Sequence, residues 1–295
     1  MKVAVSGASG LIGSALVPAL RERGHEVVRL VRREARASDE VAWDPASGAL
    51  DPYAVADVDA FVNLSGATIG RRWTEARKRE IRDSRVLPTA LLARTVAALE
   101  GRPALISAGG VGIYGNRGDE ILTEESELGS GFLAEVGKEW EAAADPAREA
   151  GARVVTFRQG IVLSRRGGAL AKMLTPFKLG LGGRVGSGRQ WWSWISLDDT
   201  VAAYLFALEH DLSGATNLVS PNPVTSAHLT KTLGRVLGRP TIFPLPGLAV
   251  KALFGEMGEA TLLEGQRALP ARLLEAGFAF SFPALEPALR RALEL

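Results

Sequence analysis

At the start of the chain, short continuous runs of hydrophobic residues alternate with a segment in which they recur at helical spacing. A short apolar run, Val3 to Val5, is followed by Gly7, and from Gly10 onward apolar residues recur at the three- and four-residue spacing of a helix. Gly24 is placed to end that helix, and a second apolar run covers Val27 to Val31. The first 31 residues therefore predict a strand, a helix and a second, parallel strand.

The same alternation continues along most of the chain. Strands are predicted at 60–64, 104–107 and 153–157, and helices at 75–99 and 132–150. A further helix is predicted to begin at Asp198 or Asp199, whose carboxylates would cap it. Strands that alternate with helices indicate a parallel sheet covered on both faces. The pattern predicts an α/β fold, a Rossmann-type doubly wound parallel sheet.

The composition of the chain changes after Arg239. From Pro240 onward prolines punctuate short helical segments. We predict a dinucleotide-binding domain over 1–239, with insertions around 165–195 on the substrate side. The remaining segment, 240–295, is predicted to be a small, mostly helical domain that helps to cover the substrate.

Charge and cysteine content exclude several classes of function. The 295 residues carry 35 basic and 33 acidic side chains, for a net charge of +2, and no lysine or arginine run forms a nucleic-acid-binding stripe. There is no cysteine, and the 3 histidines are scattered, so we expect neither a metal site nor a redox thiol. No apolar run reaches the length of about 18 residues needed for a membrane span. We expect a cytoplasmic protein without nucleic-acid or membrane partners.

A glycine motif lies at the first strand-to-helix junction. Residues 7–13 read G-x-x-G-x-x-G, where missing side chains let the backbone approach a pyrophosphate at the helix N-terminus. A strand before the motif, a helix after it and a second strand beyond make a dinucleotide site a better interpretation than a plain tight turn. The predicted contacts are Gly7, Ser9, Gly10, Leu11, Ile12 and Gly13.

The residues after the second strand bear on the choice of cofactor. An acidic residue there would hold the ribose hydroxyls of NAD, whereas Arg32 and Arg33 can receive the 2′-phosphate of NADP. NADP(H) is therefore favoured. Glu34 leaves NAD(H) open, and the arginines could instead form a solvated strand end.

A second loop of small and polar residues follows the strand predicted at 60–64. Residues of this kind suit a loop that passes close to a ribose or diphosphate, although an ordinary strand-end turn has the same composition. The predicted cofactor contacts here are Asn63, Ser65, Gly66 and Ala67.

These features resemble the extended branch of the short-chain dehydrogenase/reductase superfamily. The glycine motif, the loop at Asn63 to Ala67 and Tyr114-Gly115 carry the resemblance. Within that branch the chain is most similar to a poorly characterised sugar-epimerase-like family that has a C-terminal domain of unassigned role. The matching segments are 72–74, 81–85, 138–141, 180–183, 188–191, 263–266 and 275–278.

The resemblance implies further site residues. It places Lys138 at the cofactor ribose and Gln159, Gly160 and Val162 beside the nicotinamide. It also implies a small-molecule substrate between the two domains. Arg189, Trp191 and Trp194 follow a glycine-rich loop and offer a charge and aromatic faces that suit an anionic or ring-bearing substrate, although a packed aromatic cluster between the domains would show the same residues. Dimers are common in the superfamily, so a homodimer is a further expectation.

The chain departs from the superfamily at the catalytic positions. Active members have a tyrosine four residues before the lysine and a serine or threonine four residues before the Tyr-Gly pair, whereas Ala134 and Gly110 stand here. Lys138 and Tyr114 are the remaining catalytic candidates. Two hypotheses follow: an NADP(H)-dependent oxidoreductase or epimerase-like enzyme with an unusual acid or base, and a non-catalytic dinucleotide-binding or redox-sensing protein.

Overall fold

Fourteen strands and ten helices make up the chain, and the computed structural model describes residues 1–295. The strands are β1 Lys2–Ser6, β2 Glu26–Val31, β3 Glu40–Asp44, β4 Ala49–Leu50, β5 Ala60–Asn63, β6 Ala104–Gly110, β7 Ile121–Leu122, β8 Val154–Gln159, β9 Ile161–Leu163, β10 Trp191–Trp192, β11 Trp194–Ser196, β12 Gly214–Leu218, β13 Val224–Thr225 and β14 Arg267–Ala268. The α-helices are α1 Gly13–Glu22, α2 Glu75–Ala98, α3 Phe132–Ala142, α4 Asp145–Glu149, α5 Gly168–Lys178, α6 Leu197–Glu209, α7 Ser226–Leu237, α8 Gly247–Gly258, α9 Ala271–Glu275 and α10 Leu285–Leu293.

Eight of the strands form one sheet in the order β12-β8-β6-β5-β1-β2-β3-β4. All neighbours are parallel except β3 and β4. The strand order reverses beside β1, between β2 and β5, and such a switch point is where open α/β sheets bind ligands. The Rossmann-type α/β fold predicted from the sequence is confirmed.

Two apolar cores cover the two faces of this sheet. One packs α1 and α6 against it, with Leu16, Leu20 and Tyr204 fully buried. The other packs α2 and α4 on the opposite face, around Phe61 and Leu92. Alternate residues of the central strands serve opposite faces, which explains why these strands are apolar throughout.

A third core joins residues on both sides of the boundary predicted at 239. It combines Leu174 of α5 and Leu233 of α7 with Leu289 of α10, the last helix of the chain. Asp199 in the first turn of α6 adds a polar connection, because its carboxylate accepts hydrogen bonds from the backbone N–H groups of Ser281 and Phe282 at 2.7 and 3.0 Å. The C-terminal segment therefore packs closely against the larger part of the chain.

Two local predictions need correction. The helix predicted over 132–150 is two helices, α3 and α4, because Pro146 fits only the first turn of a new helix. Ser196, and not Asp198 or Asp199, caps α6, since its hydroxyl oxygen accepts the N–H of Asp199 at 2.9 Å.

Helix length and polarity also bear on membranes. No helix combines the length and the apolar character required to cross a bilayer.

Candidate cofactor and substrate site

A cavity of about 700 Å³ lies at the carboxyl edge of the sheet. Its walls are the turn after β1, the loop after β5, the end of β6, helix α3, the junction of β8 and β9, and the segment 256–266. The cavity therefore sits where the strand order reverses and is covered from the C-terminal side.

The glycine motif forms the tight turn between β1 and α1. Gly7 has φ +67°, a conformation that favours glycine, and a Cβ on it would lie 2.6 Å from the carbonyl oxygen of Leu64. A Cβ on Gly13 would lie 2.3 Å from the carbonyl oxygen of Gly7. Both glycines are required for the backbone to close this turn.

The turn leaves N–H groups free to bind an anion. The N–H groups of Leu11, Ile12 and Gly13 donate to no protein acceptor, and Ile12, at the N-cap, offers no capping side chain. All three residues line the cavity. Free donors and the positive end of α1 match what a diphosphate needs.

Asn63 supports the loop after β5 from below. It is fully buried and accepts hydrogen bonds from the hydroxyl of Ser6 at 2.7 Å and from the N–H of Ser65 at 3.2 Å. Its amide donates to Thr89 at 2.8 Å. Ser65 and Gly66 therefore face the cavity, while Asn63 holds the loop in position.

A half-buried arginine of α2 also lines the cavity. Arg85 donates to the carbonyl oxygens of Ile81 at 2.8 Å and Ala67 at 3.1 Å, packs over the ring of Trp140, and has no carboxylate partner. Burial, together with the charge of Arg77, lowers the pKa of Arg85 to about 10, so the side chain is still a cation at neutral pH. A half-buried cation without a carboxylate partner in a cavity suits an anionic ligand. In the sequence Arg85 belongs to the matching segment 81–85, but nothing there assigns it to the site.

The two arginines after β2 differ in their partners. Arg33 forms two hydrogen bonds with Glu40, at 2.7 and 2.8 Å, and lowers the pKa of that carboxyl to about 2. Arg32 is exposed and forms no ion pair. Neither arginine lines the cavity itself, and Arg32 is the one left free for a 2′-phosphate.

Helix α3 places neither a tyrosine nor a lysine in the cavity wall, so it does not supply the proton-transfer pair of the superfamily. Leu133, Ala134 and Gly137 line the cavity, whereas Lys138 lies outside it and pairs with Glu135 at 3.0 Å. A Cβ on Gly137 would already lie 2.9 Å from the Cβ of Ile113, so the packing leaves no room for a lysine there. The side chain of Lys138 thus lies outside the cavity wall, and its catalytic and ribose-binding roles stay predictions.

Tyr114 is likewise removed from the cavity. It is fully buried, its hydroxyl donates to Asn217 at 2.8 Å, and it accepts from Arg158 at 2.8 Å. Burial raises the pKa of Tyr114. These contacts help to fix Arg158 beside Glu141 (2.8 Å) in the interior, and a catalytic role for Tyr114 stays a prediction.

The junction of β8 and β9 lies at the far wall of the cavity. Gln159, Gly160 and Val162 all line it, as the resemblance implies for residues beside a nicotinamide. A Cβ on Gly160 would lie 2.4 Å from the carbonyl oxygen of Ser193. Glycine is thus required for the close approach of these two segments.

The three predicted substrate contacts separate in the structure. Trp191 lines the cavity, and its indole N–H donates to Asp119 at 2.6 Å. Trp194 is fully buried in the third core and donates to the carbonyl oxygen of Asn222, so it cannot reach a ligand. Arg189 is exposed and lies outside the cavity wall.

Carboxylates of the C-terminal segment complete the cavity. Glu256 pairs with Lys78 at 2.6 Å and Glu259 with Lys251 at 2.5 Å, but Glu264 has no cationic partner. Burial raises the pKa of Glu264, and the charge of Glu259 raises it further. This segment is the other part of the site that the sequence analysis did not assign.

Most predicted cofactor contacts thus come together in one cavity. The predicted residues that line it are Gly7, Gly10, Leu11, Ile12, Gly13, Ser65, Gly66, Gln159, Gly160, Val162 and Trp191. The predicted residues outside the wall are Ser9, Arg32, Arg33, Asn63, Ala67, Tyr114, Lys138, Arg189 and Trp194. Fold and cavity together define a Rossmann-type protein built to hold a dinucleotide.

Comparison with known proteins specifies the family. The model of the NAD dependent epimerase/dehydratase family matches residues 3–219, and a domain of unknown function, DUF1731, matches 245–292. An epimerase family protein of Mycobacterium bovis is 50% identical over 289 residues, 97% of this chain and 96% of the relative. The chain belongs to the NAD dependent epimerase/dehydratase family, which confirms the resemblance found in the sequence.

Solved structures agree with this assignment. The structure of human epimerase family protein SDR39U1 with NADPH has a TM-score of 0.89 at 38% identity and covers 100% of both chains. A nucleoside-diphosphate sugar epimerase from Corynebacterium glutamicum has a TM-score of 0.83 at 39% identity, over 99% of this chain and 58% of the other.

Proposed function

We propose that this protein is an NADP(H)-dependent oxidoreductase or epimerase-like enzyme that acts on a small polar or nucleotide-sugar-like substrate. The observation that carries the proposal is the glycine turn, whose free N–H groups at Leu11, Ile12 and Gly13 face the same cavity as Gly160. When bound, the cofactor would supply or accept a hydride at its nicotinamide ring. The human relative was solved with NADPH, which supports the choice of cofactor.

Three parts of this chain would bind different groups of the cofactor. The turn at Gly7 and Gly13 would receive the diphosphate, Arg85 would add a half-buried positive charge, and Arg32 would contact the 2′-phosphate. The standard tyrosine and serine or threonine of the superfamily are missing, so proton transfer must come from another group.

The missing tyrosine and serine or threonine also support a second candidate function. Leu133, Ala134 and Gly137 on α3, and Gly110 at the end of β6, offer the cavity no titratable group. A protein that binds the dinucleotide without catalysis, as a redox sensor, would need none. NADPH oxidation by the wild-type protein in the presence of a carbonyl substrate decides between the two functions.

Arg32 gives a direct test of cofactor choice. We expect Arg32→Ala to weaken NADPH binding by roughly 10- to 100-fold, since one charge-assisted hydrogen bond contributes about 1.5–3 kcal/mol, and to leave NADH binding unchanged. Isothermal titration calorimetry at fixed salt measures both constants. Arg33→Ala is the matched control and should have a smaller effect, because Glu40 already holds that side chain. Equal NADPH and NADH affinity in the wild-type protein would contradict the preference for NADP(H).

Lys138 provides a test of whether this lysine contacts the bound cofactor. We expect Lys138→Ala to change the dissociation constant for NADPH by less than about twofold, because an exposed lysine paired with Glu135 contributes little. The same titration measures it. A loss of tenfold or more would show that the lysine turns toward the ribose when the cofactor binds.

Location and assembly remain predictions. A small-molecule substrate and a homodimer are parts of the proposal, as is a cytoplasmic location, although the Arabidopsis thaliana relative is named as chloroplastic.

A further inference from the structure

Glu264 stands out among the charged residues of the cavity. The carboxylates of Glu256 and Glu259 are each paired with a lysine, at 2.6 and 2.5 Å. The carboxylate of Glu264 forms no ion pair and no hydrogen bond, yet it lines the cavity wall. A carboxyl group left unpaired inside a ligand cavity is free to exchange a proton with a ligand.

Backbone contacts fix the position of Glu264. Its N–H donates to the carbonyl oxygen of Glu259 at 3.1 Å. The next residue, Gly265, lies against Trp191 so closely that a Cβ would be 1.9 Å from the tryptophan carbonyl oxygen. Gln266 then donates to the carbonyl oxygen of Gly115 at 2.9 Å. The backbone that carries Glu264 is therefore held in place at the cavity wall, while its carboxylate keeps no protein partner.

A chain of contacts links Glu264 to the wall predicted to lie beside the nicotinamide. The N–H of Ile161, which follows Gly160, donates to the carbonyl oxygen of Ser193 at 2.8 Å. The hydroxyl of Ser193 in turn donates to the carbonyl oxygen of Gln266 at 2.8 Å. Glu264 is two residues from Gln266, so it belongs to the same end of the cavity as Gly160.

We propose that Glu264 is the proton-transferring residue of this site, in place of the absent tyrosine. The inference rests on the proposed enzymatic function. In the reduction of a substrate carbonyl, for which the bound cofactor would supply the hydride of the new C–H bond, Glu264 gives its proton to the carbonyl oxygen. Its O–H bond breaks as that of the alcohol forms, and a proton from solvent then restores the carboxyl group. Oxidation of an alcohol runs in reverse, with Glu264 accepting the proton.

The charges around Glu264 suit this role. Burial and the carboxylate of Glu259 raise the pKa of Glu264, and Lys251 acts against them. A raised pKa keeps more of the carboxyl in the protonated form near neutral pH, where a general acid must hold its proton. The rate of reduction should accordingly fall as the pH rises through the pKa of Glu264.

Two measurements test the assignment. The first is ¹³C NMR of the protein labelled at glutamate side-chain carboxyls, with no cofactor added, in which the signal lost in Glu264→Gln identifies the residue. We expect this signal to titrate above about 4.3, the ordinary glutamate value. Titration at or below that value would overturn the proposal.

The second measurement is NADPH oxidation with a panel of aldehydes, α-diketones and keto sugars. We expect Glu264→Gln to lower kcat by at least about 100-fold, to remove the pH dependence, and to keep the NADPH dissociation constant within about twofold. Glu264→Asp should retain part of the pH dependence. Glu275→Gln, which changes an exposed glutamate of the same C-terminal segment, is the control and should behave as wild type.

The outcomes separate the two proposals. If the wild-type protein oxidises NADPH with a substrate and Glu264→Gln does so equally well, the role of Glu264 is wrong and the enzymatic function stands. If the wild-type protein binds NADPH but reduces no compound of the panel, the enzymatic function is rejected together with the role of Glu264. Failure to bind NADPH would remove the cofactor proposal itself.

Discussion

Glu141→Ala is expected to lower the free energy of unfolding by about 3–5 kcal/mol, the usual cost of leaving one member of a buried ion pair without its partner. Glu141 accepts two hydrogen bonds from Arg158, at 2.8 and 2.9 Å, and both side chains are largely buried. Burial opposes the charge of Arg158, but the hydrogen bonds to Glu141 outweigh it and hold its pKa above the ordinary value. Urea denaturation monitored by tryptophan fluorescence measures the change.

The surface pair of Arg117 and Glu120 provides a matched control. Glu120 accepts the same two-fold contact from an arginine, at 2.7 and 2.8 Å, but both side chains are considerably more exposed. We expect Glu120→Ala to cost about 0–1 kcal/mol. Equal costs for the two variants would mean that the interior around Arg158 admits enough water to solvate its charge.

The sequence predicted the strands that contain a continuous apolar run, but not β3 and β12, where polar residues interrupt the pattern. Strand β3 contains Glu40, which is buried because Arg33 and Arg29 neutralise it, so no apolar pattern marks the strand. In β12 the buried Asn217 bonds to Tyr114. Such partners come from distant parts of the chain, and hydrophobic periodicity does not reveal them.

The candidate site likewise has parts that the local sequence predicts and parts that depend on distant residues. The glycine turn could be predicted because its motif lies within seven consecutive residues, and the contacts that require Gly13 are with Gly7 and Ala8 in the same turn. The resemblance, and not a local pattern, places Lys138 at the cofactor, whereas in the structure its side chain pairs with Glu135 outside the cavity wall. Ala134, one helical turn earlier, and Gly137 are positions of α3 that line the cavity.

The positions of Arg85 and Glu264 in the site could be recognised only from the folded structure. Both lie in segments that carry the family resemblance, 81–85 and 263–266, but the resemblance gives neither residue a role, and the role inferred for each depends on its having no oppositely charged partner. Arg85 has carbonyl oxygens but no carboxylate beside it, while Glu264 has no cation. Only the tertiary structure shows that these two unpaired charges share a cavity with the glycine turn.

Gly13→Ala is expected to weaken NADPH binding by roughly 10- to 100-fold, because the added Cβ would lie 2.3 Å from the carbonyl oxygen of Gly7 and 2.7 Å from the Cα of Ala8. Both are backbone atoms, so the turn must move, and overpacking of this kind costs about 1–3 kcal/mol. The displacement would misalign the free N–H groups of Leu11 and Ile12. Calorimetric titration with NADPH measures the affinity, and thermal unfolding reports the accompanying loss of stability.

Gly101→Ala is the matched control for this prediction. A Cβ at Gly101 meets no atom within 4 Å, and the residue lies far from the turn in the segment after α2. We expect wild-type NADPH affinity and a change in stability within about 0.5 kcal/mol. Normal NADPH binding by Gly13→Ala would mean that the turn tolerates a side chain, and the diphosphate would then have to be held elsewhere. A comparable loss of affinity in both variants would show that the effect does not originate at the glycine turn.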